Sequence, residues 1–102
     1  MKEIKILVEQ IEDELEDAEK YAKAALYHKH IDPDMSRMYA ELSRQELNHS
    51  EMLHGFAVKM IKLQREKGVE SPPAMQAVWD WQHERMVEHT NKIKLLLNGI
   101  NG

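Results

Sequence analysis

Apolar residues recur along this chain every three or four positions in three successive stretches, which is the spacing of an α-helix with one buried face. The first stretch has its apolar positions at Ile4, Leu7, Ile11, Leu15, Ala18, Tyr21, Ala22 and Ala25. The second has them at Met35, Met38, Leu42, Leu53, Phe56, Met60 and Leu63. The third has them at Met75, Trp79, Met86, Ile93, Leu96, Leu97 and Ile100. Each stretch predicts a long amphipathic helix.

Helix-ending residues separate the three stretches. Asp32 followed by Pro33 is typical of an N-cap with proline at the first helical position, and Ser71-Pro72-Pro73 repeats the pattern. Gly68 suits the left-handed residue that ends a helix. The sequence predicts helices over about 2–30, 33–67 and 72–98. Because short connections make consecutive helices antiparallel, the predicted fold class is all-α, an up-down-up bundle of three long helices.

Length and composition narrow the class of protein. The 102 residues allow one domain, covering 1–102, and the absence of cysteine excludes disulfides, thiolate zinc sites and cysteine nucleophiles. No apolar run approaches the roughly 20 residues that cross a bilayer. The N-terminal stretch is too charged for a secretory signal. We therefore expect a cytoplasmic protein with no membrane segment.

The charge balance argues against nucleic acid as a partner. The chain carries 14 Lys and Arg against 18 Asp and Glu, which gives a net charge of −4. Proteins that bind the phosphate backbone of a nucleic acid are typically basic. The basic residues Lys59, Lys62, Arg65 and Lys67 gather at the predicted end of the second helix. The helix dipole favours cations there without any ligand.

Polar residues interrupt the apolar stripes at similar heights. Glu14 lies between Ile11 and Ala18, and Glu46 and His49 interrupt the second stripe. At a rise of 1.5 Å per residue, these groups lie roughly 20–25 Å along their helices from the connection between the first and second helices. His89 lies at a comparable height on the third helix. Because a buried carboxylate needs a partner charge or a cation, the pattern predicts an ionisable cluster inside the bundle.

Glu46-Leu47-Asn48-His49 is an E-x-x-H on a predicted helix, so both ligand side chains lie on one face and can converge on one ion. Our interpretation is a metal site formed by Glu14, Glu46 and His49, with His89 as a further candidate. The residues leave alternatives open: Glu14 belongs to an acidic run typical of a solvated helix face, and Asp17 is a further acidic candidate in it. His89 also suits a core histidine bonded to a carbonyl oxygen or to a neighbouring glutamate.

The same residues resemble the ferritin-like superfamily. Glu14 precedes Tyr21 by seven residues, and the segment Gln45–Glu51 is similar to the E-x-x-H-x-E of the second helix in ferritins and rubrerythrins. The resemblance covers about the first two-thirds of the chain. It implies Glu14, Glu46 and His49 as ligands, iron or manganese as cofactor, and metal-ion oxidation or peroxide detoxification as the activity.

The third stretch departs from that superfamily. It has no second E-x-x-H, although Trp79-Asp80-Trp81-Gln82-His83-Glu84 is similar to small ferritin-like proteins of anaerobic bacteria and their prophages. A chain of 102 residues also leaves no room for a fourth long helix, and the lack of cysteine excludes a rubredoxin-type iron centre. We expect a site that is completed by another subunit, reduced to one metal, or lost.

Three long helices leave an open groove, which predicts a homodimer paired through the first and third helices. Two helical residues turn about 200°, so one of Trp79 and Trp81 points away from the bundle. The outward ring, Trp81, predicts a subunit interface or a stacking surface. The alternative function is a non-enzymatic oligomeric module that has lost the metal and binds a protein or small ligand at the subunit groove. The sequence leaves open whether any substrate is turned over.

Overall fold

The computed structural model of the chain describes residues 2–68 and 73–101, which form three helices. They are α1 (Lys2–His28), α2 (Pro33–Glu66) and α3 (Pro73–Asn101). Helix α2 runs antiparallel to α1, and α3 returns alongside α1, so the predicted all-α, up-down-up arrangement is confirmed in the described ranges. The predicted cap at Ser71 and Pro72 and the side chain of Met75 lie outside the described residues.

The ends of α2 are built as the sequence predicts. A side-chain oxygen of Asp32 accepts a hydrogen bond from the backbone nitrogen of Met35 at 3.2 Å, and Pro33 occupies the first helical position. Gly68 follows the helix with a φ of +75°, a conformation that glycine adopts without a steric penalty. These two ends fix the length of α2.

Helices α1 and α2 meet through small side chains. The residues Ala18 and Ala25 of α1 face Ser43 and Ser36 of α2, and all four are buried. The Ser36 hydroxyl donates to the Ala25 carbonyl oxygen at 2.6 Å, and the Ser43 hydroxyl donates to the Ala18 carbonyl oxygen at 2.7 Å. Because nothing large separates them, the two helix backbones approach closely.

The predicted buried stripe of α2 is wrong at most positions, although Leu53 and Met60 are half-buried and pack against the core. Met35, Met38, Phe56 and Leu63 are exposed. The buried face of α2 consists instead mainly of small residues, namely Ser36, Ala40, Ser43, Leu47, Ser50, Ala57 and Ile61. Apolar periodicity misses this face because serine counts as polar, although its hydroxyl is satisfied by a helix carbonyl oxygen. The α1 stripe, by contrast, is confirmed as the core face except at Leu7 and Tyr21, which are half-buried, and Val8 is buried in addition.

Helix α3 packs on α1 through the buried side chains of Met86, Ile93 and Leu97, and its contacts with α2 are fewer and lie mainly in its first half. An apolar groove of about 290 Å³ therefore opens between α2 and α3, with Ile11 and Leu15 of α1 among its lining residues. The molecule is elongated, 56 × 18 × 18 Å. Within the ranges that the structure describes, no helix is long and apolar enough to span a bilayer.

Candidate metal centre

Three of the predicted ligands converge, but at a partly exposed position between α1 and α2 rather than inside the bundle as the sequence predicts. Glu14, Glu46 and His49 each place one donor atom within 4.8 Å of the other two. His49 Nδ1 lies 3.4 Å from Glu14 Oε2 and 3.8 Å from Glu46 Oε2. No other trio of His, Asp or Glu residues within 2–68 and 73–101 comes together this closely.

Two features of the fold position these donors. Glu46 and His49 are three residues apart on α2, so the helix itself holds both side chains on one face. Glu14 comes from α1 between the buried residues Ile11 and Ala18. The small interface of the two helices brings it within reach of His49.

The site is shielded at its base and open at its mouth. The side chains of Glu14 and Glu46 are 28% and 21% exposed, whereas the ring of His49 is 54% exposed. Glu14 Oε2 is buried and has no hydrogen-bond partner among the described residues. A buried carboxylate oxygen without a donor is costly, and a bound cation removes that cost.

The donor chemistry fits the metals that the resemblance implies. Two carboxylates and one imidazole suit iron or manganese, which accept mixed oxygen and nitrogen ligands. Glu14 Oε2 accepts no hydrogen bond among the described residues, and the His49 ring that lies 3.4 Å away would compensate its charge only when protonated. The residues present therefore fit a divalent cation of this class.

The fourth predicted ligand, His89, lies elsewhere. Its Nε2 is 3.2 Å from Glu19 Oε1, an oxygen that Lys92 Nζ also approaches at 3.0 Å, while Lys23 Nζ lies 3.1 Å from Glu19 Oε2. Hydrogen bonds from Lys92 and then from Lys23 lower the pKa of Glu19 to about 2. His89 thus belongs to an ion network between α1 and α3, as the alternative interpretation expects, and the structure does not bring it to the three donors.

The remaining candidates are also separate from the donor cluster. Asp17 is exposed and lies outside the group of three. Trp81 is exposed, with the Arg85 guanidinium carbon 4.8 Å from its ring centre, so it points away from the bundle as predicted. Trp79 packs against a small core cluster that consists of Ile4, Val8 and Ile61.

The structure also pairs two histidines that the sequence does not connect. His54 Nε2 lies 3.0 Å from His83 Nδ1, and the ring of Trp79 stacks near both. Burial lowers the pKa of His54, and the nearby charge of His83 lowers it further. The two residues lie 29 positions apart on different helices, so the pairing depends on how α3 is rotated against α2, which sequence periodicity does not specify.

Comparison of the chain with protein-family models, with curated proteins and with solved structures finds no match.

Proposed function

We propose that this protein binds iron or manganese through Glu14, Glu46 and His49 in a ferritin-like arrangement. The observation that carries the proposal is the convergence of three donor atoms, from two helices, within 4.8 Å of one another. Two ionised carboxylates would balance the charge of one divalent cation, and the neutral imidazole adds a nitrogen ligand. The buried Glu14 Oε2, which accepts no hydrogen bond among the described residues, supports the same assignment.

The three residues divide the work of the site. Helix α2 positions the side chains of Glu46 and His49 on one face, and α1 positions the side chain of Glu14 opposite them. The exposed edge of the His49 ring leaves a route for small molecules from solvent. Iron or manganese bound here supplies redox chemistry with oxygen or peroxide, so the reaction class that we propose is metal-ion oxidation or peroxide removal.

Titration of the untagged, metal-free chain with Mn²⁺ tests the site, because the electron paramagnetic resonance signal of free Mn²⁺ falls as the ion binds. We expect saturable binding in the wild type and an affinity lower by about tenfold or more in Glu46→Gln and in His49→Ala. Asp13→Asn and Glu41→Gln remove exposed carboxylates from the same two helices and should bind as the wild type does. Equal binding by all five proteins would rule the site out.

A second candidate function is the non-enzymatic binding module. It is favoured by the exposed ring of Trp81 with Arg85 against it, since exposed Trp and Arg side chains are typical binding hot spots. In that case the folded wild type takes up no Mn²⁺, and substitution of Glu46 or His49 does not change Mn²⁺ uptake.

A further inference from the structure

Two histidines from different helices face each other in the groove between α2 and α3. His54 Nε2 lies 3.0 Å from His83 Nδ1, and the two ring centres are 5.0 Å apart. The ring of Trp79 lies nearly parallel to the ring of His54, with 6.1 Å between the ring centres. Neither histidine belongs to the donor cluster of the proposed metal centre. The pair is therefore a second place where imidazole nitrogens converge.

The separation of the two nitrogens suits a cation that both can bind. Zinc binds imidazole nitrogen at about 2.0–2.1 Å, so two nitrogens on one tetrahedral Zn²⁺ lie about 3.3 Å apart. The observed 3.0 Å is close to that value. Without a cation, this contact is a hydrogen bond in which one neutral ring donates to the other. When a cation replaces that hydrogen, the donating ring carries its hydrogen on its other nitrogen instead.

Glu51 provides a third donor from the same face of α2. It precedes His54 by three residues, so this segment is an E-x-x-H as well. Side chains at this spacing have Cβ atoms about 5–6 Å apart on one helix face. Glu51 lines the same groove as both histidines. Its carboxylate does not lie within 4.8 Å of both ring nitrogens, but its exposed side chain can turn towards them.

The surroundings of the pair favour the form of histidine that binds metal. Metal binds neutral imidazole, and burial lowers the pKa of His54, so this ring stays neutral at a lower pH than an exposed histidine does. The groove has a volume of about 290 Å³, and Ile11, Leu15 and Met86 are among its apolar lining residues. Because the groove is open, an ion reaches the two nitrogens from solvent.

We propose that His54, His83 and Glu51 form a zinc site, separate from the iron or manganese centre. Two imidazoles and one carboxylate are a known zinc donor set, with the fourth position left for water or a small ligand. Imidazole suits zinc, whereas the donor cluster with its two carboxylates suits manganese or iron. The two sites share no residue, so this inference does not rest on the proposed function.

The test starts from a parent variant in which all three residues of the donor cluster are changed to glutamine, so that only the second site remains. Isothermal titration calorimetry with Zn²⁺ should give one ion per chain. Adding His54→Gln, His83→Gln or Glu51→Gln should lower the affinity by about tenfold or more. His30→Gln and Glu41→Gln are the matched controls, because both residues are exposed, and they should bind as the parent does. Circular dichroism checks that every variant is helical.

Nuclear magnetic resonance of the ¹⁵N-labelled imidazole rings tests the same site in the wild type. Saturation with Zn²⁺ should shift the signals of His54 Nε2 and His83 Nδ1 and leave those of His30 unchanged. Unchanged signals from His54 and His83 would overturn the proposal, as would a His83→Gln or Glu51→Gln variant that binds Zn²⁺ as tightly as its parent. A wild type that binds Zn²⁺ at these nitrogens and takes up no Mn²⁺ supports the zinc site and contradicts only the proposed function.

Discussion

The hydroxyl of Ser43 donates a hydrogen bond to the carbonyl oxygen of Ala18 across the α1–α2 interface, at a distance of 2.7 Å. Ser43 precedes Glu46 by three residues, and Ala18 follows Glu14 by four, so the contact lies next to the donor cluster. Small side chains here let α1 and α2 approach closely. That approach brings Glu14 to His49 and turns the large apolar side chains of α2 outward.

Enlarging Ser43 should destabilise the fold. Ser43 is fully buried, so Ser43→Leu forces a larger, branched side chain into a closely packed interface and should lower the free energy of unfolding by about 1–3 kcal/mol. Ser43→Ala removes only the hydrogen bond and should cost about 1 kcal/mol. Urea denaturation followed by circular dichroism measures both values.

Asn48→Leu is the control for this pair, because Asn48 is exposed on the same helix, and it should change stability by no more than about 0.5 kcal/mol. A Ser43→Leu variant as stable as the wild type would contradict the close packing of α1 against α2 at Ser43.

The sequence predicts where the helices begin and end better than it predicts which face of each helix is buried. Helix ends follow from Asp32, Pro33 and Gly68, and α1 has a single apolar stripe that is indeed buried. Helix α2 has two candidate faces, one with large apolar residues and one with Ser36, Ser43 and Ser50. Burial of the small face depends on hydrogen bonds from Ser36 and Ser43 to α1 carbonyl oxygens, which require a close partner helix. Apolar spacing carries no information about them.

The donor cluster follows the same division. Glu46 and His49 share a helix face by their spacing alone, and Glu14 lies at the matching height on α1. His89 matches in height but belongs to the ion network with Glu19. The position of a residue along its helix follows from counting residues and can be predicted. The direction in which a side chain of α3 points depends on how α3 packs, which the sequence pattern does not specify.

Removal of Lys92 should raise the pKa of Glu19. The Lys92 hydrogen bond is the largest cause of the pKa of about 2, so Lys92→Met should move this pKa towards the ordinary value of 4.5. A carboxylate with a lowered pKa stabilises the fold above pH 4.5, and this contribution is lost as the pH falls towards about 2. Because the Lys92 side chain is 59% exposed, the loss at neutral pH should be only about 0.5–1 kcal/mol.

Carbon-detected NMR titration of the Glu19 carboxyl group measures this pKa directly. Lys94→Met removes an exposed lysine two residues further along α3 and should leave the titration unchanged. An identical Glu19 titration in Lys92→Met and the wild type would contradict the proposed network.

The His54–His83 pair should make the fold sensitive to mild acid. The pKa of His54 is lowered below its ordinary value of 6.5, so neutral His54 is favoured in the folded chain. Its contribution to stability is complete above pH 6.5 and is lost as the pH falls through the lowered pKa. His83 is the second titrating group of the pair, and Glu51 is the acidic side chain that lines the adjoining groove.

Unfolding by urea at about pH 7.5 and about pH 5 tests this dependence. The wild type should lose stability between the two values, and His54→Gln should lose less. His30→Gln replaces an exposed histidine and should behave as the wild type does. If the fold gains stability on acidification, or if His54→Gln has the same pH dependence as the wild type, then burial of neutral His54 does not cause the pH dependence of the stability.

The central claim is that Glu14, Glu46 and His49 hold a cation, and the metal content of the untagged chain tests it most directly. The protein is loaded with Fe²⁺ without oxygen or with Mn²⁺, freed of excess by gel filtration, and analysed by mass spectrometry for metal per chain. We predict about one ion per chain in the wild type, and almost none when Glu14, Glu46 and His49 are all changed to glutamine. A metal-free wild type, or a triple variant that retains as much metal as the wild type, would contradict the claim.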